Sequence, residues 1–252
     1  MEAQRVSPFW QEKYRKDAAK SWNIFYKRNE TRFFRDRHWI DREFPELFFK
    51  DSLRILEVGC GVGNFCLPFL EQRSDVQLFA CDFSERAIEL LQQDARYQAA
   101  SGRCQAIVAD ITKDCLLSSF GEVVDTVTCI FVLSALPPEK HHLAVETISS
   151  VLRPGGLLLI RDYACNDAAQ NRFKPQNQLG TNLFVRQDGT LAYFFNQGTL
   201  NLSGLKLLGE LAEIFRKHFD LIEEKQVESK TTNIKKELEV DRHFVQLKLR
   251  RR

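Results

Sequence analysis

Three glycines at alternate positions, Gly59, Gly61 and Gly63, directly follow the apolar run LRILEV, Leu53 to Val58. Such a turn brings a ligand close to bare backbone and to the unpaired N–H groups of a helix N-terminus, which favour an anion. A pyrophosphate and an amino-acid carboxylate would both fit. The dinucleotide fingerprint needs a third glycine where this sequence has Asn64, so the pattern disfavours a nicotinamide dinucleotide.

Acidic residues stand at the ends of three predicted strands around this turn. Glu57 lies just before the glycines, Asp82 ends the next strand and Asp110 ends the third. Glu57 would repel a pyrophosphate but suits an amine or a sulfonium. Asp82 stands where an acid binds ribose hydroxyls. Asp110 is able to accept a hydrogen bond from an adenine amino group.

The elements that must position these residues alternate short strand patterns with amphipathic helical patterns, which predicts a parallel sheet covered by helices. The predicted strands are residues 53–58, 76–82, 104–110, 123–136 and 157–163, with two more in HFDLIEEKQV and DRHFVQLKL. The predicted helices begin near Asn64, begin after Ser84 as N-cap, run from Pro138 to Leu152 before Gly155 and Gly156, and run from Leu205 to His218. In such a doubly wound sheet the ligand crevice lies beyond the carboxyl ends of the strands.

Two segments are not needed by this core. Residues 1–50 are expected to form a helical N-terminal extension. Residues 164–195 form a polar insertion that closes with a hairpin turning at Asp188-Gly189. Basic and aromatic residues interleave from Lys13 to Arg42, and the chain carries KLRRR near its end. That pattern suits a surface that follows an RNA backbone, and equally a solvated helix.

Composition excludes several classes of protein. The 252 residues, 44% hydrophobic and with a net charge of +2, contain no apolar run long enough to span a bilayer. The seven cysteines include no C-x-x-C pair, so neither a metal site nor a disulfide framework is expected. The N-terminus lacks the apolar core of a signal peptide, which predicts a cytoplasmic protein, with the nucleus as a second location.

His141 and His142 are expected on a helix surface, away from the crevice.

The set Glu57, Gly59, Gly61, Gly63, Asp82 and Asp110 resembles the S-adenosylmethionine site of Rossmann-like class I methyltransferases. Longer stretches resemble one family, the tRNA 3-methylcytidine methyltransferases. They are WNIFYKRNETRFFRDRHW, LEVGCGVGN, ACDFSERAIE, IFVLSA, LRPGGLLLIRDY and FVRQDGTLAYFF. The resemblance implies an α/β fold with a doubly wound, mostly parallel seven-stranded sheet. It also implies a cofactor lid and tRNA contact in residues 1–50, and a methyltransferase domain in residues 51–252.

This resemblance implies methyl transfer from S-adenosylmethionine to N3 of cytidine 32 in the anticodon loop of tRNA. Serine tRNA is favoured over threonine tRNA, with seryl-tRNA synthetase as a partner. The implied cofactor contacts are Trp22, Tyr26, Glu57, Gly59, Gly61, Gly63, Asp82, Phe83, Asp110, Ile111 and Ile130. Arg37, Arg161 and Asp162 are expected near the target cytidine. Asp162 is expected to face the crevice and to stabilise the positive charge of the product.

Other interpretations stay open at this stage. Trp22 and Tyr26 have helical spacing and would also suit a hydrophobic core, and Arg37 and Arg161 would also suit salt bridges. The whole chain would also suit a non-catalytic partner subunit, or a methyltransferase that acts on a protein or a small molecule. IFVLSA stands where enzymes that methylate adenine N6 or a glutamine amide carry an Asn-Pro-Pro-Tyr type of tetrad, which argues against those two groups.

Overall fold

The computed structural model describes residues 6–100, 102–198, 208–233 and 238–252. The strands are β1 (Arg54–Val58), β2 (Gln77–Asp82), β3 (Cys104–Val108), β4 (Val124–Ile130), β5 (Leu152–Tyr163), β6 (Gln178–Gly180), β7 (Leu183–Val185), β8 (Leu191–Tyr193), β9 (Phe219–Asn233) and β10 (Leu238–Arg251). The α-helices are α1 (Pro8–Lys16), α2 (Ala18–Asn29), α3 (Ile40–Glu43), α4 (Glu46–Phe49), α5 (Cys66–Gln72), α6 (Glu85–Gln93), α7 (Ala95–Ala99), α8 (Leu116–Phe120), α9 (His141–Val151), α10 (Ala168–Asn171) and α11 (Glu210–Phe215).

Seven strands form the main sheet in the order β3-β2-β1-β4-β5-β10-β9. Strands β1 to β5 run parallel, and β10 pairs antiparallel with both β5 and β9. The predicted doubly wound, mostly parallel sheet is therefore confirmed. Chain order reverses between β1 and β4, which is where a ligand crevice opens in such sheets. Every residue of β4 is buried, as expected for a central strand covered on both faces.

The end of β4 differs from the prediction, which continued this strand to Leu136. The strand ends at Ile130 because Phe131 adopts a φ of +61°, a conformation that turns the chain out of the sheet. Leu133–Ala135 then forms a 3₁₀ turn. The residues after β4 are therefore placed at the crevice edge and not in the sheet.

The helix before β5 also differs from the prediction. It ends at Val151, and β5 already begins at Leu152, so the RPGG run lies inside the strand. Leu152 pairs with Val124 on β4. A Cβ at Gly156 would stand 2.9 Å from the Asp125 carbonyl oxygen, so glycine lets β5 pass close to its neighbour. Gly156 therefore serves strand packing, whereas Gly155 has open space beside it and a φ of +74°. Neither glycine ends the helix.

The flanking segments have their own structure. Helices α1 to α4 precede the sheet, and the predicted helical spacing fails between α2 and α3, where residues 30–39 form turns. In the insertion, β6, β7 and β8 form a small antiparallel sheet. The predicted hairpin at Asp188-Gly189 is confirmed, with Gly189 at a φ of +84°. The start of the helix predicted from Leu205 and the loop at 234–237 lie outside the described residues.

Candidate active site

A cavity of about 1260 Å³ opens at the carboxyl ends of β1, β2, β4 and β5. Residues from the N-terminal helices, the glycine turn, the insertion and β10 also line it. Small-molecule sites typically measure roughly 300–1,000 Å³, so this cavity has room for a second ligand beside a nucleoside cofactor.

The glycine turn forms one wall of the cavity. Gly59, Gly61 and Gly63 have φ values of +63°, +55° and +90°, a region that side chains strongly disfavour. A Cβ at Gly59 would stand 2.5 Å from a methyl group of Val132, and one at Gly61 would collide with the Tyr26 hydroxyl. Gly59 and Gly61 line the cavity, whereas Gly63 packs under the turn.

Asp82 lines the cavity at the end of β2 and is only 6% exposed. Its Oδ2 accepts a hydrogen bond from the Gly61 N–H at 2.9 Å, and its Oδ1 accepts one from the Ser84 N–H at 2.9 Å. Burial raises the pKa of Asp82 to about 6, although both N–H groups oppose the shift. The carboxylate therefore joins the turn to the start of α6, where the predicted N-cap Ser84 accepts from the Ala87 N–H.

The other two acids predicted at strand ends do not line the cavity. Glu57 lies within β1, and Asp110 lies two residues beyond β3, which ends at Val108 and not at the predicted residue 110. Glu57 is 3% exposed, and its Oε2 accepts from the Cys66 N–H at 3.2 Å, at the first residue of α5. Burial raises the pKa of Glu57 to about 8, and the charge of Arg37 opposes this shift. Asp110 accepts from the Thr112 hydroxyl at 2.7 Å and lies 2.8 Å from the Lys113 ammonium.

Both acids thus order the loops beside the cavity, and their expected contacts with a ligand stay predictions. The neighbouring expected contacts do line it: Phe83, Ile111 and Ile130.

Helix α2 closes one side of the cavity with Trp22 and Tyr26. Tyr26 is 6% exposed, and burial together with the charge of Asp82 raises its pKa well above the ordinary value. Trp22 packs against Phe25 at 5.0 Å and Phe34 at 6.4 Å between ring centroids. Its indole Nε1 is buried and has no hydrogen-bond partner in the described structure. A buried donor of this kind favours a ligand that brings an acceptor. The core and lid interpretations of α2 are therefore compatible.

Two arginines, Arg37 and Arg161, also line the cavity. The Arg37 guanidinium lies 5.1 Å from the centroid of the Phe131 ring, and burial lowers its pKa. The Arg161 guanidinium lies 4.2 Å from the centroid of Trp39. Its Nη2 is 3.5 Å from Oε2 of Glu43, and burial lowers its pKa to about 10. Both side chains are stacked on aromatic rings, which leaves their N–H edges for a ligand.

Asp162 lies beneath this wall and does not face the crevice as expected. Side chains alternate along β5, so Arg161 and Tyr163 line the cavity while Asp162 points the other way. The residue is completely buried, and its Oδ2 accepts from the Ser134 N–H at 3.0 Å. Burial raises its pKa to about 6. Asp162 therefore holds the 3₁₀ turn after β4, which contributes Ser134 to the cavity wall.

His141 also contacts the 3₁₀ turn after β4. The prediction that it lies on the helix surface is wrong. The residue is 3% exposed, and its Nε2 lies 2.9 Å from the carbonyl oxygen of Leu133. Burial lowers the pKa of its imidazole. Helix α9 places this ring inward, while His142 is exposed as expected.

An aromatic wall at the insertion side is the feature that the sequence did not reveal. The rings of Phe131 and Tyr163 stack with centroids 5.0 Å apart, and Phe244 packs edge-on against Phe131 at 5.3 Å. The Arg242 guanidinium lies 5.3 Å from the Phe244 ring, and Phe194 completes the wall. These residues come from four separate elements, so only the sheet order brings them together.

Within the described residues no helix is long and apolar enough to cross a membrane. The same residues contain no cluster of three or more His, Cys, Asp or Glu side chains that could hold a metal ion.

Comparison with known proteins agrees with this geometry. Residues 55–156 match the methyltransferase domain family. A SAM-dependent methyltransferase from Anabaena variabilis has a TM-score of 0.66 at 11% identity, covering 93% of this chain and 95% of that one. The N-methyltransferase NodS from Bradyrhizobium japonicum, solved with S-adenosyl-L-homocysteine, has a TM-score of 0.57 at 16% identity, covering 93% and 99%. The chain therefore has the fold of the SAM-dependent methyltransferases.

Sequence relatives define the family more narrowly. The tRNA N(3)-cytidine methyltransferase METTL6 of Rattus norvegicus is 44% identical over 252 residues, covering 98% of this chain and 84% of the rat protein. The tRNA N(3)-methylcytidine methyltransferase trm141 of Schizosaccharomyces pombe is 43% identical and covers 96% of both chains. This chain belongs to the tRNA N(3)-cytidine methyltransferase family.

Proposed function

We propose that this protein is an S-adenosylmethionine-dependent methyltransferase that forms 3-methylcytidine at position 32 of the tRNA anticodon loop, with serine tRNA favoured over threonine tRNA. The main support for this proposal is the composition of the cavity wall. A single cavity joins the glycine turn and Asp82 to a wall of aromatic rings and arginines. Relatives that cover almost the whole chain are named for methylation of cytidine N3 in tRNA.

The residues present fit the cofactor. Asp82 would accept from the ribose hydroxyls, and the backbone around Gly59 and Gly61 would receive the amino-acid part. The buried indole N–H of Trp22, which has no partner in the described structure, would donate to an acceptor on the bound cofactor. Phe83 and Ile111 line the same region and suit the adenine ring. When bound, S-adenosylmethionine supplies an electrophilic methyl group on a sulfonium.

The protein itself has to orient the base and exclude water. N3 of neutral cytosine carries an in-plane lone pair, so no general base is required, and positioning and desolvation supply most of the rate. Because N3 is on the pairing edge, the base must leave the loop stack and enter a pocket. The aromatic wall beside Arg37 offers ring faces for such a base. Ring faces also stabilise a cationic product.

For Asp162 the geometry favours a positioning role. Its carboxylate is completely buried and accepts from the Ser134 N–H. It would act on the reaction by fixing the turn that contributes to the cavity wall, together with its longer-range negative charge beneath Arg37.

The N-terminal helices supply the surface that supports tRNA binding. Helix α1 has no buried residue, and Phe9 and Trp10 are 70% and 46% exposed. The Lys13 ammonium lies 5.9 Å from the Trp10 ring centroid. Exposed rings beside cations suit unpaired bases and phosphates. Seryl-tRNA synthetase as a helper and a cytoplasmic location, with the nucleus second, are further parts of this proposal and rest on the sequence.

Transfer of a labelled methyl group from S-adenosylmethionine tests the proposal against its alternatives. Serine tRNA, threonine tRNA, a protein extract and a tRNA-free reaction are compared, each with and without seryl-tRNA synthetase. Label in serine tRNA supports the proposal. Faster labelling in the presence of seryl-tRNA synthetase supports the synthetase as a partner. Label only in protein or small molecules would favour another methyltransferase. Cofactor binding without any transfer would favour a non-catalytic partner subunit.

A further inference from the structure

A polar connection joins the lid helix α2 to the start of α6. The side-chain Oδ1 of Asn23 accepts a hydrogen bond from the Ser84 hydroxyl at 3.0 Å and another from the Arg86 N–H at 2.9 Å. The first N–H groups of a helix have no partner within the helix. One oxygen from α2 therefore serves the N-terminus of a different helix.

Ser84 links Asn23 to Asp82, which lines the cavity. It is completely buried, its hydroxyl accepts from the Ala87 N–H at 3.1 Å, and its own N–H donates to Asp82 at 2.9 Å. A hydroxyl has one hydrogen to donate, and here Asn23 receives it. The amide of Asn23 thus fixes the rotation of this hydroxyl next to Asp82.

Helix α2 reaches Asp82 by a second route. Tyr26 lies one turn beyond Asn23 on the same helix, and its hydroxyl stands against Gly61. The Gly61 N–H donates to the other oxygen of Asp82 at 2.9 Å. Both oxygens of this carboxylate are therefore connected to α2, one through Ser84 and one through the glycine turn.

We propose that Asn23 is a latch that holds α2 closed over the cofactor cavity and couples its closure to the position of Asp82. The proposal rests on the proposed function, because it takes this cavity to hold S-adenosylmethionine. Trp22 and Tyr26 line the cavity from α2, so a ligand held between them and Asp82 leaves when the helix moves. Asn23 is a positioning residue that sets how fast the cofactor and its demethylated product dissociate.

Asn29 provides a matched control on the same helix. It is also an asparagine and half-buried, but its Nδ2 donates to the Phe25 carbonyl oxygen at 2.9 Å, within α2. Asn29→Ala therefore removes one asparagine hydrogen bond from α2 without touching α6. Asn23→Asp keeps an oxygen acceptor for both donors and serves as the conservative variant.

The test is stopped-flow dissociation of S-adenosylhomocysteine, followed by tryptophan fluorescence, with the melting temperature of each variant recorded in parallel. Loss of two hydrogen bonds predicts a dissociation rate about tenfold faster in Asn23→Ala. We expect rates within about twofold of wild type for Asn29→Ala and Asn23→Asp.

Two results would overturn the latch. One is an unchanged rate in Asn23→Ala. The other is an equal acceleration in Asn29→Ala, which would reduce the effect to a general loosening of α2. Wild-type protein that does not bind S-adenosylhomocysteine would refute the proposed function as well, so the two failures are distinguishable.

Discussion

The two halves of the cavity are built in different ways. The centre of the cofactor half comes from neighbouring stretches of chain, with the backbone N–H groups of Gly61 and Ser84 converging on Asp82, and α2 packs over it. The target half comes from side chains far apart in sequence, such as Arg37, Arg161 and Phe244. The centre of the first half is a local motif, and the second half is a product of topology. Substitutions in the two halves should therefore affect different binding steps.

The largest effect is expected from Asp82→Ala. The change removes an acceptor of two backbone hydrogen bonds and the predicted partner of the ribose. Hydrogen bonds to charged groups contribute about 1.5–3 kcal/mol each, so the affinity for S-adenosylhomocysteine should fall about 100-fold or more. Isothermal titration calorimetry measures this loss. Asp220→Ala, at a side chain 64% exposed on β9 and outside the cavity lining, is the control and should bind with nearly wild-type affinity.

Arg161→Ala should affect the target half alone. It removes a guanidinium stacked on Trp39 from the cavity wall. We expect kcat/KM for tRNA to fall roughly 50-fold, about 2.3 kcal/mol of transition-state stabilisation. Affinity for S-adenosylhomocysteine should stay within about twofold. Arg216→Ala, at a side chain 71% exposed directly after α11, serves as control. A matching loss of cofactor affinity in Arg161→Ala would show that the halves are not separable.

Asp162 distinguishes a positioning role from a charge-stabilising role. Asp162→Asn removes the charge but keeps an oxygen that can accept from the Ser134 N–H. If the carboxylate positions the turn, the asparagine variant should keep methylation within about threefold, while Asp162→Ala should lose about tenfold or more. Steady-state kinetics on tRNA measures both. Equal large losses, with both variants folded, would restore the charge-stabilising role.

Glu57 gives the smallest effect on activity, because its substitution acts on the stability of the fold. Because its folded pKa, about 8, is above the unfolded value, the folded state holds the proton more tightly, and stability falls as pH rises towards 8. Glu57→Gln keeps an acceptor for the Cys66 N–H and removes this titration. Relative to wild type, the variant should gain about 1.4 kcal/mol per pH unit in this range, or roughly 3–4 kcal/mol between pH 5 and 8. Urea unfolding at both pH values measures the difference. A constant difference would contradict the raised pKa.

The same contrast explains which features of the fold and the site could be predicted from the sequence. The strand patterns, the glycines and Asp82 lie within short runs, so the sheet and the glycine turn could be predicted. The orientation of Asp162 could not, because the side that a buried strand residue faces depends on register. Nor could the end of β4, which a positive φ at Phe131 determines. The contacts that Glu57 and Asp110 make with backbone N–H, hydroxyl and ammonium groups could not be predicted either, because those partners lie on the loops beside the cavity.

The most direct test of the account is to map the methylated nucleotide in serine tRNA after incubation with this protein and S-adenosylmethionine. Digestion to oligonucleotides and mass spectrometry locate the modification, and a transcript with uridine at position 32 is the control. The proposed function predicts 3-methylcytidine at position 32 and no methylation of the control transcript. Methylation at another position, or at another atom of cytidine, would contradict it.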